Sequence, residues 1–465
     1  MALGRRGGRD EEMWVATTRL PKSPGHPFYE RLNRVLGEAE FDRFVEERCE
    51  PYYASGQGRP SIPPGVYFRM MMVGYFEGID SQRGIAWRCS DSLALREFLG
   101  LGLTERVADH SSLTVIRKRL ALSVHEEAFA FVLKVLREKG ILRGKTVGID
   151  ATTLEANAAM KTIVRRDTGE SWAKYIRRLA EEEGVEDPSD EDARRMDRRR
   201  DSKKVSNEDW ESKSDPEARI TKMKNGTTRL AYKAEHVIDL ESEVILAATI
   251  HPGTRSDGET FFESVSRSQE MMVRAGIVPE TEEVVADKGY SKAEALAECA
   301  EWGLRTYVPE RKERQKRRWV RKPAEWKRAF HANRRRVRRS KGRRLQRLRS
   351  ERNERSFAHV CGTGRQRRTY LRGRENVEKR YLITAAARNL GLLMRHLFGI
   401  GSPRSLQGLS RAVIGVAFAL LYAIWRSLEA ITDRLASFTT PERHFVSANH
   451  QLSITPKTMP SSTGC

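Results

Sequence analysis

Downstream of residue 144, short β-branched apolar runs alternate with helical patterns in an order that few architectures accept. Thr146 to Asp150, the end of Lys145-Thr-Val-Gly-Ile-Asp150, reads as a buried strand. A charged stretch over 156–226 follows. Strands are then predicted at about 229–239 and 244–250, joined by Leu240-Glu-Ser-Glu243, which suits a hairpin connection. A helix over 257–274 opens on Asp257 in an acidic first turn. Strand 283–287, ending Glu283-Val-Val-Ala-Asp287, comes next. Ser291-Lys-Ala-Glu294 then makes a capping-box pattern for a helix over 291–302, and strand 304–308 closes the series.

This order is strand, insertion, hairpin, helix, strand, helix, strand. It predicts an α/β ribonuclease-H-like core, a mixed five-stranded sheet with flanking helices. In that topology the first and fourth strands are neighbours, so Asp150 and Asp287 end up side by side. A helix packed after the fifth strand can bring Glu354, in Glu354-Arg-Ser-Phe-Ala-His359, to the same point.

The region before 144 is all helical in pattern. Periodic apolar positions from Phe28 to Val45 predict a helix over 28–49. Gly58-Arg-Pro-Ser-Ile-Pro-Pro64 breaks the chain and starts another, followed by helices at about 65–77, 81–89, 92–99 and 111–138. Ser90-Asp91 and Asp109-His-Ser-Ser112 supply N-cap residues. A helix-turn-helix module and a plain helical bundle fit this pattern equally.

The predicted organisation is a flexible N-terminus over 1–20 and a helical domain for DNA binding or dimerisation over 21–140. A catalytic domain spans 144–400, with charged insertions at about 156–226 and 311–348. A C-terminal helical segment over 401–439 and a disordered tail over 440–465 complete it. The apolar run at 412–425 falls short of the roughly 20 residues that span a bilayer, so no membrane partner is expected.

Charge narrows the partner. The chain has 85 Lys and Arg against 63 Asp and Glu, a net charge of +22. Such an excess fits phosphates, from which basic side chains displace condensed counterions. Five scattered cysteines form neither a CxxC motif nor a disulfide framework and fit a reducing cytoplasm. The densest basic run is Arg334-Arg-Arg-Val-Arg-Arg-Ser-Lys-Gly-Arg-Arg344. Opposite charges that would support it as a solvated helix are almost missing. Arg334, Arg335, Arg336, Arg338, Arg339, Arg343, Arg344 and Arg347 are therefore the candidate DNA contacts. Trp319 and Trp326 nearby could stack on bases or pack in the core.

Carboxylates gathered in so basic a chain point to a divalent metal acting on a polyanion. Two such ions can align a nucleophile and stabilise the leaving oxygen of a phosphodiester. Mg²⁺, with Mn²⁺ as a substitute, suits carboxylates, waters and phosphate oxygens. Taken singly, Asp150 could cap a turn, Asp287 could form an Asx turn and Glu354 could pair with an arginine.

At these residues the chain resembles bacterial insertion-sequence transposases of the DDE class, with an N-terminal helical transposase domain and a ribonuclease-H-like catalytic domain. The matching stretches are Gly58-Arg-Pro-Ser-Ile-Pro-Pro64, Gly148-Ile-Asp-Ala-Thr-Thr-Leu-Glu-Ala-Asn157, Asp215-Pro-Glu-Ala-Arg219, Ala231-Tyr-Lys-Ala-Glu235, Asp287-Lys-Gly-Tyr290 and Glu354-Arg-Ser-Phe-Ala-His359. The resemblance implies Asp150, Asp287 and Glu354 as the catalytic, metal-binding triad. It also implies cleavage at the ends of an insertion sequence, joining of the freed 3′-hydroxyl to target DNA, and a homodimer on double-stranded DNA.

One departure stands. Relatives often carry Tyr and Arg seven and four positions before the catalytic Glu, and Lys seven after it. From Glu354 those positions hold Arg347, Ser350 and Cys361; from Glu351 they hold Arg344, Arg347 and Ala358. Glu354 is preferred for its context, and Glu351 remains its competitor. His251, Asp257, Lys288, His359, Glu155 and Asn157 are secondary candidates. Rival readings are a ribonuclease-H-like nuclease that cuts without joining, and a DNA-binding derivative without catalysis.

Overall fold

The structure is a computed structural model; it describes residues 25–54, 61–185, 207–223, 225–311 and 317–406, with isolated positions besides. The predicted frayed N-terminus apart from isolated positions, the first three residues of the Gly58–Pro64 break, the apolar run at 412–425 and the polar tail lie outside the described residues.

Strand β1 (Thr146–Glu155) is the spine of the sheet. On one side it pairs antiparallel with β5 (Thr228–Asp239), from Val147 opposite Asp239 to Glu155 opposite Ala231. On the other it pairs parallel with β7 (Glu283–Val285), which in turn carries β8 (Arg305–Tyr307) in parallel. Two strands, β4 (Arg219–Lys222) and β6 (Ile245–Pro252), pair antiparallel with successive stretches of β5. Leaving out short β4, the order is third, second, first, fourth, fifth, as the element order predicts. Two further short strands, β2 (Ile163–Arg165) and β3 (Trp210–Ser212), form a separate ribbon inside the insertion. There Trp172, Tyr175 and Trp210 meet edge-on and tilted, giving this charged stretch its own aromatic core.

The end of the first strand needs correction. Asp150 does not end its strand, because β1 continues for five residues. Thr152 and Thr153 suit extended backbone, and β5 keeps pairing along this length. The parallel partner does stop early: the last β1–β7 pair is Gly148 opposite Val285. Asp150 therefore lies where β7 has just left the sheet.

Seven helices precede the sheet: α1 (Pro27–Glu38), α2 (Phe41–Cys49), α3 (Pro64–Glu77), α4 (Gln82–Asp91), α5 (Leu93–Phe98), α6 (His110–Arg119) and α7 (Leu122–Glu138). The helix predicted over 28–49 breaks at Glu40, which takes a left-handed conformation. The one predicted over 111–138 breaks at Leu120 and Ala121, both extended. Asp109 caps α6 as expected, whereas Ser92 rather than Ser90 or Asp91 caps α5. Every residue of α3 from Gly65 to Phe76 is buried, so this helix is the centre of the bundle.

In the insertion, α8 spans Trp172–Glu182. Helix α9 (Asp257–Arg274) covers one face of the sheet, and its capping box joins Ser256 to Glu259. Helix α10 (Ala293–Glu301) starts at Lys292 without the Ser291–Glu294 box, so that pattern misplaced the cap. Basic helices α11 (Ala324–Arg338) and α12 (Ser340–Phe357) follow, then a π-helical turn at Ala358–Thr363. The last described helix, α13 (Arg374–Phe398), is buried nearly all round. It packs on α3 and α7 of the bundle and on β6 of the sheet. Bundle and sheet share this wall, and the described residues up to Leu406 form one compact unit.

Candidate active site

The site is built where β1, β7 and α12 meet. Two residues beyond the Gly148–Val285 pair, the chain reaches Asp150 on β1 and Asp287 beyond β7. Alternation puts Asp150 on the same face as Gly148. That face carries α12. An added Cβ on Gly148 would stand 2.7 Å from Asn353 Oδ1 and 3.1 Å from Arg349 Cγ, so glycine is what lets the helix come this close. Asn353, fully buried, donates to the Gly148 and His236 carbonyls at 3.3 and 3.4 Å and pins the crossing.

Asp150 Oδ1 accepts from the Ala151 amide at 2.8 Å, and Oδ2 takes the Arg349 guanidinium at 2.8 Å. Arg349 is almost buried, so a positive group already sits on this carboxylate. Asp287 caps a short 3₁₀ turn, its Oδ1 accepting from the Gly289 amide at 2.6 Å. The Asx-turn role and a place at the strand ends coexist in this one residue.

Glu354 lies one residue past the Asn353 contact, about 100° around α12. Arg352, about 100° the other way, reaches the Leu240 carbonyl at the hairpin-turn end of the sheet. Glu354 therefore stands on the flank of α12 away from Arg352 and is exposed. Glu351 sits about 160° from the contact and pairs with Arg355 at 2.5 Å, pointing away from the sheet. Among the described residues, no group of three His, Cys, Asp or Glu closes into a metal-ready cage. Two half-buried carboxylates and one exposed one, all oxygen donors, still suit a hard cation that keeps several waters.

The candidate DNA contacts divide. Arg334 pairs with Glu310, one of its contacts at 2.7 Å, and its guanidinium lies over the Phe330 ring. Arg336 donates to the Thr306 carbonyl and hydroxyl at 3.0 and 3.2 Å, and burial lowers its pKa. These two are fixed within the protein. Arg335, Arg338, Arg339, Arg343, Arg344 and Arg347 are exposed, and none pairs with a described carboxylate. By helical spacing, Arg343 and Arg347 share the Glu354 flank of α12. Trp319 and Trp326 are partly buried against the core, and Trp319 packs on Phe330 and His331.

Several residues beside the site were not anticipated in their roles. On the α9 face, Lys233 Nζ lies 2.7 Å from Glu235 Oε1 and 2.9 Å from Asp257 Oδ1. Thr260, Ser264 and the Tyr290 hydroxyl also donate to Glu235. Burial alone would raise the Glu235 pKa, but the bond to His251 and the Lys233 charge outweigh it and hold it at about 2. Asp257 is thus tied to the sheet and stands beside the Asp287 turn at Gly289. The motif Ala231-Tyr-Lys-Ala-Glu235 carried this signal, since alternate charged residues inside an apolar strand must be paired. His359 turns instead towards Arg388, Arg395 and Glu243, at the hairpin-turn end, and burial lowers its pKa.

A mixed sheet in this order, crossed by a helix over the first strand and with acids beyond its first and fourth strands, defines a ribonuclease-H-like protein. Two families match. Residues 18–119 match the Transposase domain (DUF772), and residues 192–390 match the Transposase DDE domain. The chain belongs to the DDE-class transposases of insertion sequences. Asp287 and Glu354 fall within the second match, and Asp150 precedes it. No curated protein matches the chain.

Proposed function

We propose that this transposase binds the ends of its insertion sequence, cleaves there and joins the freed 3′-hydroxyl to target DNA, with Asp150, Asp287 and Glu354 as its catalytic triad. The supporting observation is the register. Asp150 and Asp287 stand two residues beyond the last pair of adjacent parallel strands, under a helix whose flank carries Glu354. Mg²⁺ or Mn²⁺ bound by the three carboxylates would supply an activated nucleophile and a stabilised leaving oxygen. Asp150 and Asp287 hold fixed positions, one by its strand and one by its turn. Glu354, on the helix flank, has the freedom to close on substrate. Arg349 neutralises Asp150 and keeps the apposed carboxylates from repelling one another. Arg347 and Arg343, about two and three turns before Glu354, would hold phosphates beside the scissile bond.

The substrate is double-stranded DNA, the protein is a homodimer on it, and the site of action is the bacterial nucleoid. No described helix is long and apolar enough to cross a membrane. The test is cleavage and strand transfer on duplexes carrying the element's inverted repeats. Asp150→Asn, Asp287→Asn and Glu354→Gln should each abolish both steps while DNA binding persists. Full activity in any one removes that residue from the triad. Cleaved ends without joined product would favour a nuclease that never joins.

A further inference from the structure

Past Asp150, β1 runs on to Glu155, and the arginine-rich segment 365–373 comes alongside it. The Glu155 amide donates to the Arg367 carbonyl at 3.0 Å, and the Thr369 amide donates to the Glu155 carbonyl at 2.9 Å. Between this contact, the start of β5 and the loop 157–162 lies a cleft of about 720 Å³. Lys213, Arg229, Arg368 and Arg372 line it, all exposed, around one acid, Glu155. Arg229 bonds Glu155 at 2.8 Å and Arg368 lies 3.8 Å from it. Lys213 and Arg372 pair with no described carboxylate.

These cations are held in place. Buried Asp215 accepts from the Tyr232 hydroxyl at 2.7 Å and the Gly373 amide at 3.1 Å, and Glu217 accepts from the Arg374 amide at 2.8 Å. Asn157 donates to the Tyr370 carbonyl at 2.9 Å. The motif Asp215-Pro-Glu-Ala-Arg219 is therefore a clasp on the segment that carries Arg368 and Arg372. A solvated charge run needs no such clasp. Beside the cleft, though not lining it, Tyr370 is 52% exposed, with the Arg368 guanidinium 5.9 Å from its ring centre. Aromatic and cationic groups together suit a nucleic-acid strand.

We propose that this cleft is a second phosphate-backbone site, which takes DNA running past the carboxylate end of β1. It lies roughly 17 Å beyond Asp150 along the strand, about five base-pair steps of duplex. It is separate from the Arg343–Arg347 flank of α12, so the two sites bracket the acids. The proposal rests on the DNA-transposition reading and names the path of the DNA through it.

The test uses the full chain and a labelled 30-base-pair duplex of arbitrary sequence, with affinity measured against salt. Lys213→Ala with Arg372→Ala, both exposed, should leave the melting temperature unchanged. The slope of log affinity on log salt should fall by about two units, and affinity at 0.1 M salt by about 60-fold. Glu155→Gln removes the acid facing the phosphates and should tighten binding, a gain that misfolding cannot imitate. Steep salt dependence in the wild type with an unchanged slope in the double variant overturns the cleft and leaves the transposase reading standing. A wild-type chain that does not bind the duplex overturns both.

Discussion

Gly289→Ala isolates the geometry of the second acid with a single methyl group. Gly289 sits in the 3₁₀ turn at Lys288–Tyr290, and its φ is not positive, so alanine can adopt its backbone. At a roomy site such a change would stabilise by about 0.4–1 kcal/mol through the unfolded state. This site is not roomy. The new Cβ would stand 2.4 Å from Asp257 Oδ2 and 2.7 Å from Asp287 Oδ1. Relief to ordinary contact needs a retreat of about 1 Å by both oxygens. Neither is loose: Asp287 Oδ1 holds the Gly289 amide at 2.6 Å, and Asp257 is held by Lys233 at 2.9 Å. Lys233 is in turn fixed to buried Glu235. For Asp287 that retreat is a rotation away from its cap, which loses about 1 kcal/mol of hydrogen bonding and moves the carboxylate about 1 Å. A displacement of that size in a reacting group lowers rate by about 100-fold. The assay is single-turnover cleavage of an inverted-repeat duplex in Mg²⁺, with thermal unfolding in parallel. Cleavage should fall about 100-fold, with a melting temperature within a few degrees of wild type. Wild-type cleavage in Gly289→Ala would refute the claim that Asp287 must stay where its turn holds it.

Glu351→Gln should retain cleavage and Glu354→Gln should lose it; the reverse result would hand the third position to Glu351. Replacing Arg335, Arg338 and Arg339 together by Ala should lower the salt slope of duplex binding by about three units, whereas Arg334→Ala, tied to Glu310, should lower stability and leave the slope nearly unchanged. His125 and His236 are fully buried, and burial pushes both pKa values down to about 3 from an ordinary 6.5. The unfolded chain then binds more protons below pH 6.5, so stability falls as pH drops from there towards 3. Between pH 7.5 and 5 the pair should remove roughly 4 kcal/mol, read as a falling unfolding free energy; a flat profile would show that the folded protein accommodates their charge.

Much of this was legible in the sequence because its signals are local. The strand and helix order from Thr146 to Tyr307 follows from apolar runs and turn residues, and the order alone places Asp150 beside Asp287. The overestimates came from the same locality. Arg334 and Arg336 look like their neighbours in sequence, yet Glu310 and Thr306 claim them, and only the folded chain brings those partners near. Helix periodicity over 28–49 and 111–138 hid breaks at Glu40 and at Leu120–Ala121, where no glycine or proline marks the change. The arginines of 365–374 went unnoticed as a group because threonine, glutamine and tyrosine dilute them. Their role depends on Asp215 and Glu217, about 150 residues upstream.

Helix α13 has a consequence for how such a protein can change its habits. The helix lies after every residue of the site, yet it lines the bundle formed by the first third of the chain. Buried Arg380 donates to the Ile79 carbonyl at 3.1 Å, and buried Lys379 to the Arg117 carbonyl at 3.3 Å. The bundle and α13 were therefore fitted to each other and travel as a pair. Exchanging residues 27–138 between two relatives would leave α13 facing a foreign surface, with cations aimed at carbonyls that have moved. Grafting the bundle together with 374–398 keeps that seam intact, so the functional cassette is discontinuous in the gene although it is continuous in space.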